Sequence, residues 1–530
     1  MNTPLISRQS RPLWAILGAW FFLTLLAILF RHVTAVDETR YLSAAWEMWV
    51  RGDFLVPHLN GEPYHHKPPL LFWLIHAFWY LFGVSDWAAR LVLSLLGLTG
   101  ILLVIPMATL IWPDRRKIPM HAAWVVLTFL FWMIWNSSVM FDLLVAVCAE
   151  IAWLGLLLAW RGRSGFGWLL AGVGMGLGIL AKGPVIFVYV LPGLLFAPWW
   201  MRESRPESWL KWYLPGLGAI LLAAAIGLSW AIPAAAAGGE DYANHILWGQ
   251  TAGRVVNAFA HRRPLWWYLP LIPVVLYPWV LWLPLWHGMG QRWRDGWDSG
   301  ERFSITIGLT GLVIFSLISS KQFHYMLPFM PVMALFFSRA LQTSESRIPE
   351  LRDLVIPLLP LVALGLVLVV APYVGSLEQK VVWLTPRTSL WGVGILLSLF
   401  LAYGLSRYLS GLVWPGVISL TLLGVGIPGM IGDLSKYYSV REIALEIRAS
   451  QEQGRSVAVI DKYHGEFTYV GRLTQPIDVI KQNQVEGWLE GHQGGLVVVD
   501  SNRPPQADDP GVRFWTKYRG GYLMLRDRAG

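Results

Sequence analysis

The chain has 530 residues, 55% hydrophobic and only 14% charged, a balance that excludes an ordinary soluble protein. Its formal charge of +9 comes without a basic run or a stacking module, so it fits the anionic cytoplasmic leaflet rather than nucleic acid. One cysteine, Cys148, excludes an intrachain disulfide, and 32 tryptophans suit the aromatic belts at bilayer interfaces.

The polar start, Met1 to Arg11, leads into a long apolar run without a small-residue cleavage site and reads as a retained signal-anchor. A membrane span needs roughly 20 apolar residues. Candidates lie near Leu13–Phe30, Trp87–Ile111, Met120–Trp135, Val139–Trp160, Gly167–Ala181, Val185–Trp200 and Tyr213–Ile232. Others lie near Trp266–Trp286, Ser304–Ser319, Tyr325–Ser338, Leu354–Tyr373, Leu390–Tyr408 and Leu412–Ile431. The reading is a polytopic α-helical membrane protein of about 13 transmembrane helices. Leu70–Phe82 is too short to span and is expected to lie in the interface.

With the N-terminus inside, every inner loop carries Lys or Arg, as in Arg115-Arg116-Lys117. The odd count puts the C-terminus on the same outer face as the first loop, residues 31–86. Composition shifts at about Asp433. Ser439-Val440-Arg441-Glu442 reads as a capping box, and β-rich runs follow at Val457–Ile460, Phe467–Val470, Leu496–Val499 and Phe514–Leu525. The chain therefore divides into a transmembrane part, 1–432, and a small outer α/β domain, 433–530, without an acid, base and cation set.

The sharpest chemistry follows the first span. Asp37 and Glu38, with Arg40 and Tyr41, stand at a boundary where charge is costly. The plainer reading is an N-cap, Asp37 opening a helix Glu38–Val50. Leu59-Asn60-Gly61 and His65-His66-Lys67-Pro68-Pro69 complete this loop. The prolines suit a helix start, while Lys67 offers a point charge for phosphate. His66 is a candidate ligand for a divalent metal, although the spacing matches no regular site and no cofactor is fixed by the sequence.

Asp142 lies near the outer end of its span and calls for a cation or a cavity. Arg254 and His261-Arg262-Arg263-Pro264 with Tyr268 form an outer loop suited to phosphate and a sugar face, or merely to anionic headgroups. Lys321, His324 and Tyr325 mark another outer entry. Gly172, Gly174, Gly176 and Gly178 form a small-residue stripe for helix packing.

Taken in order, these motifs resemble the GT-C membrane glycosyltransferases, in particular the bacterial branch of the protein O-mannosyltransferase superfamily that includes the lipid A aminoarabinose transferases. The departure is His66-Lys67-Pro68, where those transferases carry Glu-Lys-Pro. The resemblance implies a GT-C fold and an enzyme of the bacterial inner membrane with its site facing the periplasm. Its donor would be a polyprenyl-phosphate-linked sugar, and its acceptor an envelope lipid such as lipid A, or a glycan. Arg40, Lys67 and Lys321 would bind the donor phosphate. Asp37, Glu38 and Asp142 would be catalytic, and Tyr41, His261, Arg262, Tyr268, His324 and Tyr325 would line the substrate. Alternatives are an enzyme acting on protein and, from another class, a lipid-linked sugar flippase. Transport sites, however, sit near the midplane rather than at one face.

Overall fold

A computed structural model describes residues 11–247, 263–343, 350–374, 383–406, 413–506, 509 and 511–528. Among them, nine helical segments are long and apolar enough to cross a membrane. Eight serve as single passes, including α1 (Arg11–Phe30), α4 (Asp86–Ile111) and α7 (Phe141–Trp160). The ninth, Ser164–Leu195, covers two passes, α8 (Ser164–Lys182) and α9 (Ile186–Leu195). Gly183, at φ +77°, makes the turn between them. The Trp153 indole donates to the Tyr189 carbonyl at 3.2 Å, and the Trp160 and Trp200 rings meet at 5.3 Å. The chain has therefore turned back to run alongside α7.

Three more of the expected passes are interrupted. Residues 118–135 form α5 (Ile118–Thr128) and α6 (Leu130–Trp135). Residues 265–286 are broken by Pro270, Pro273, Pro278 and Pro284, and residues 323–343 begin as a 3-10 helix around Pro328. Thirteen passes of uniform helix thus give way to nine long segments and three broken ones.

The glycine stripe is packing. A Cβ on Gly174 would lie 2.6 Å from the Ala152 backbone of α7, and one on Gly176 would strike Ile226 of the helix Leu210–Gly238. The tryptophans serve more than belts. Trp132, Trp153, Trp200, Trp279 and Trp414 are buried, several donating their N–H to backbone carbonyls, while Trp14, Trp266 and Trp293 are exposed.

The first loop opens with α2 (Asp37–Arg51), then a hairpin of β1 (His58–Leu59) and β2 (Glu62–Pro63), then α3 (Leu70–Phe82). Asn60 and Gly61 both take positive φ, 55° and 86°, as a two-residue turn of this kind requires. Glu47 accepts from both turn amides.

The C-terminal part is a five-stranded mixed sheet. It contains β3 (Val457–Ile460), β4 (Asp478–Ile480), β5 (Leu496–Ser501), β6 (Val512–Tyr518) and β7 (Gly521–Arg526), in the order β4-β3-β5-β7-β6. Two local expectations are corrected. Phe467–Val470 is not a strand, because Thr468–Gly471 is helical; the Tyr463 hydroxyl accepts the Phe467 and Thr468 amides and the Ser43 hydroxyl accepts that of Tyr469. The capping box does not form, since Glu442 accepts instead from the Thr516 hydroxyl of β6 at 2.7 Å.

This sheet sits on the first loop. Asn60 exchanges two hydrogen bonds with the Ile477 backbone, both 2.8 Å, and Ser43 donates to the Gly465 carbonyl at 2.6 Å. Tyr469 stacks on Trp79 of α3 and donates to Asp86 at 2.7 Å. Leu59-Asn60-Gly61 is therefore a docking device.

Candidate active site

Asp37 and Glu38 are adjacent, yet their side chains leave the helix about 100° apart and meet different surroundings. Asp37 is the first residue of α2, with Val36 as the N-cap, so the expected Asp37 cap is absent. Its carboxylate is half-exposed and pairs with Arg40, one helical turn on.

Glu38 points inward and is buried. It accepts from the Thr34 amide and hydroxyl (3.1 and 2.8 Å) and from the Val139 amide (2.9 Å), and it faces Arg31 at 3.1 Å and Arg90 at 3.8 Å. Burial alone would raise this carboxyl, but Arg31, Arg90 and the Val139 and Thr34 bonds hold it below the usual carboxylate range. With both oxygens engaged, Glu38 fastens the start of α2 to α4 and to the turn before α7.

Two cations flank an aromatic pair. Tyr41 meets Phe141 edge-on at 4.9 Å. Lys67 Nζ lies 5.6 Å from the Tyr41 ring centre and 5.9 Å from that of Phe141, and Arg40 lies 5.4 Å from Tyr41. Tyr41 is buried, so it supports the cations from beneath.

Asp142, in the first turn of α7, is buried and accepts from Lys182 Nζ at 2.6 Å. Lys182 ends α8 beside Gly183 and lies 4.7 Å from the Tyr325 ring centre. His324 Nε2 stands 3.7 Å from Asp142, beyond hydrogen-bond reach. Lys67, over the Phe141 ring, stands beside the residue that precedes Asp142. One cluster thus joins α2, the Lys67 segment, α7, the end of α8 and the His324 turn.

Lys182 was missed by sequence reasoning. It carries the signal that singled out Lys67, a lone cation at the outer end of an apolar run, but it sat between two assigned spans as a mere turn.

Other expected residues fall elsewhere. Lys321 is buried, donating to the carbonyls of Ile318 (2.6 Å) and Arg263 (3.1 Å). Through these two bonds it fastens a loop. Tyr268 is buried too, its hydroxyl donating to the Gln322 carbonyl at 3.1 Å. His261, Arg262 and Arg254 lie outside the described residues. His66 packs against His65, whose ring stacks on His245 at 4.2 Å; among the described residues no group of three or more His, Cys, Asp or Glu is placed to hold a metal ion.

A profile described as dolichyl-phosphate-mannose-protein mannosyltransferase matches residues 66–230. The undecaprenyl phosphate-alpha-4-amino-4-deoxy-L-arabinose arabinosyl transferase of Edwardsiella ictaluri is 26% identical over 91% of this chain and 93% of its own. A transferase of the same description from Pseudomonas fluorescens is 30% identical over 67% of this chain and 66% of its own. Among solved structures, ArnT from Cupriavidus metallidurans bound to undecaprenyl phosphate superposes with a TM-score of 0.75 at 19% identity, covering 97% of this chain and 98% of that one. Its apo state gives 0.73 at 19% identity, with 98% and 97% covered.

Proposed function

We propose, from the premise that this chain is a GT-C membrane glycosyltransferase resembling the lipid A aminoarabinose transferases, that it moves a sugar from undecaprenyl phosphate to lipid A or a similar envelope acceptor. The observation that carries this reading is the cluster of Arg40, Lys67 and Lys182 around Asp37 and Asp142 at one end of the helix bundle. Three cations converging at a membrane boundary suit the phosphate of a lipid-linked donor. The site is read as facing the periplasm, and the chain as a multi-pass protein of the inner membrane.

In the reaction the bond between the anomeric carbon and the donor phosphate oxygen breaks as a bond to an acceptor oxygen forms. Displacement from the opposite face inverts the anomeric centre. Negative charge grows on the departing phosphate, and Arg40, Lys67 and Lys182 are placed to stabilise it. Asp142 pins Lys182 so that its charge is held in place before the donor arrives. Asp37, the half-exposed carboxylate, orients the acceptor and takes its proton when that acceptor is a hydroxyl. A phosphate acceptor brings no proton to remove, and Asp37 then only positions it.

The test is transfer by the purified protein in detergent, where no gradient exists, from an undecaprenyl-phosphate-linked aminoarabinose to lipid A. Asp37→Ala should leave the protein monodisperse and remove most of the transfer. Near-normal turnover by that variant, or no transfer by the wild type, would overturn the reading.

A further inference from the structure

A cavity of about 330 Å³ lies apart from the cluster above, sharing no residue with it. It opens where the span Pro386–Gly404 begins and the span Trp414–Tyr437 ends, beneath β6 of the C-terminal sheet. Its walls include Trp383, Arg387, Trp391, Asp433, Lys436 and Lys517. Asp433 accepts from the Trp391 indole at 3.0 Å and from Lys436 at 3.2 Å, and it faces Arg387 at 3.5 Å. Three cations against one carboxylate leave two positive charges. The Lys517 side chain has no hydrogen-bond or ion-pair partner among the described residues, and it projects exposed from β6.

We propose that this cavity binds the phosphate-bearing headgroup of a lipid. Its depth is that of headgroups, because both spans end there. Its surplus charge matches a phosphate, with Arg387 able to present two N–H groups and Lys436 and Lys517 acting as point charges. The indoles of Trp383 and Trp391 and the side chains of Met430 and Leu434 give apolar walls that a free inorganic anion does not need. The volume is at the small end of ligand sites and suits a headgroup rather than a folded partner. The same chemistry is offered by an anionic phospholipid of the surrounding membrane and by a phosphorylated glucosamine lipid.

Native mass spectrometry of the full-length protein in detergent separates these. The probes are phosphatidylglycerol, phosphatidylcholine, a bis-phosphorylated glucosamine lipid and inorganic phosphate, each titrated onto wild type and onto the Arg387→Ala, Lys517→Ala double variant. The bound fraction of at least one phosphate-bearing anionic lipid should fall about ten-fold in the variant, with phosphatidylcholine unchanged. Loss confined to the glucosamine lipid assigns the cavity to that lipid, and loss of phosphatidylglycerol as well assigns it to anionic headgroups in general. Lys517→Arg should retain binding, and Lys517→Glu, on an exposed strand position, covers the case of a misfolded double variant. Equal loss of phosphatidylcholine, no loss of any lipid, or displacement of lipid by equimolar inorganic phosphate would overturn the proposal.

Discussion

Lys182 and Asp142 meet across two helices at 2.6 Å, with the Tyr325 ring beneath the ammonium, so neither residue can be altered without disturbing the other. Lys182→Ala should weaken donor use by about 10- to 100-fold, since a hydrogen bond to a charged group contributes about 1.5–3 kcal/mol. It also leaves Asp142 buried and unpaired. The double variant with Asp142→Ala should therefore lose less than the sum of the two single losses, and a double-mutant cycle on transfer rates measures this. Additive losses would show that the pair does not act as a unit. Glu38 makes the companion case for stability. Its carboxyl is held below the ordinary range, so its contribution is fully present above the unfolded-state value and is lost as pH falls through the lower folded-state value. Glu38→Gln should cost about 3–5 kcal/mol at neutral pH, as breaking a buried pair does, and should flatten the acid limb of a melting-temperature profile. The importance of the Asp37-Glu38 pair was legible in the sequence, because charge beside a span is costly. Which of the two faces inward was not, because that depends on where α2 begins and on Arg31, just after α1, and Arg90 of α4 approaching it.

At the scale of elements, apolar length identified the long helices well and the interrupted ones less well. Pro270, Pro273, Pro278 and Pro284 break the 265–286 pass into short turns, and hydropathy alone does not register that. Burial patterns explain the tryptophans in the same way: an indole whose N–H finds a backbone carbonyl packs inside a helical bundle as readily as at an interface. Helix α7 also holds Glu150, eight residues after Asp142 and fully buried, with neither oxygen partnered among the described residues. A Cβ on Gly100 of α4 would lie 2.8 Å from it, so the glycine makes room for the carboxyl. A buried polar group without partners costs about 1–3 kcal/mol. Glu150→Met, close in volume and apolar, should raise the melting temperature while transfer persists, as followed by fluorescence-detected melting in detergent. A lowered melting temperature would show that the carboxyl is satisfied in the folded protein.

Across the whole molecule, the C-terminal sheet and the Asp37 loop share one end of the bundle. Asn60 grips Ile477, Tyr469 reaches Asp86, and Arg519 donates to the Ala35 carbonyl at 2.9 Å, two residues before Asp37. The sheet therefore braces the loop to which the proposed chemistry belongs, and the two must lie on the same side of the membrane. On the proposed reading, the basic loops at the opposite end, such as Arg115-Arg116-Lys117, leave this side as the periplasmic one. A cysteine introduced at the exposed Asn483, in a Cys148→Ala background, should react with a membrane-impermeant thiol reagent once the outer membrane alone is permeabilised. Cys148 is buried within α7, so the background substitution removes a thiol that would otherwise appear only on unfolding. Labelling that waits for rupture of the inner membrane would place the sheet in the cytoplasm. Because Asn60 and Ile477 hold one another, it would carry Asp37, Arg40 and Lys67 there too and remove the periplasmic reaction.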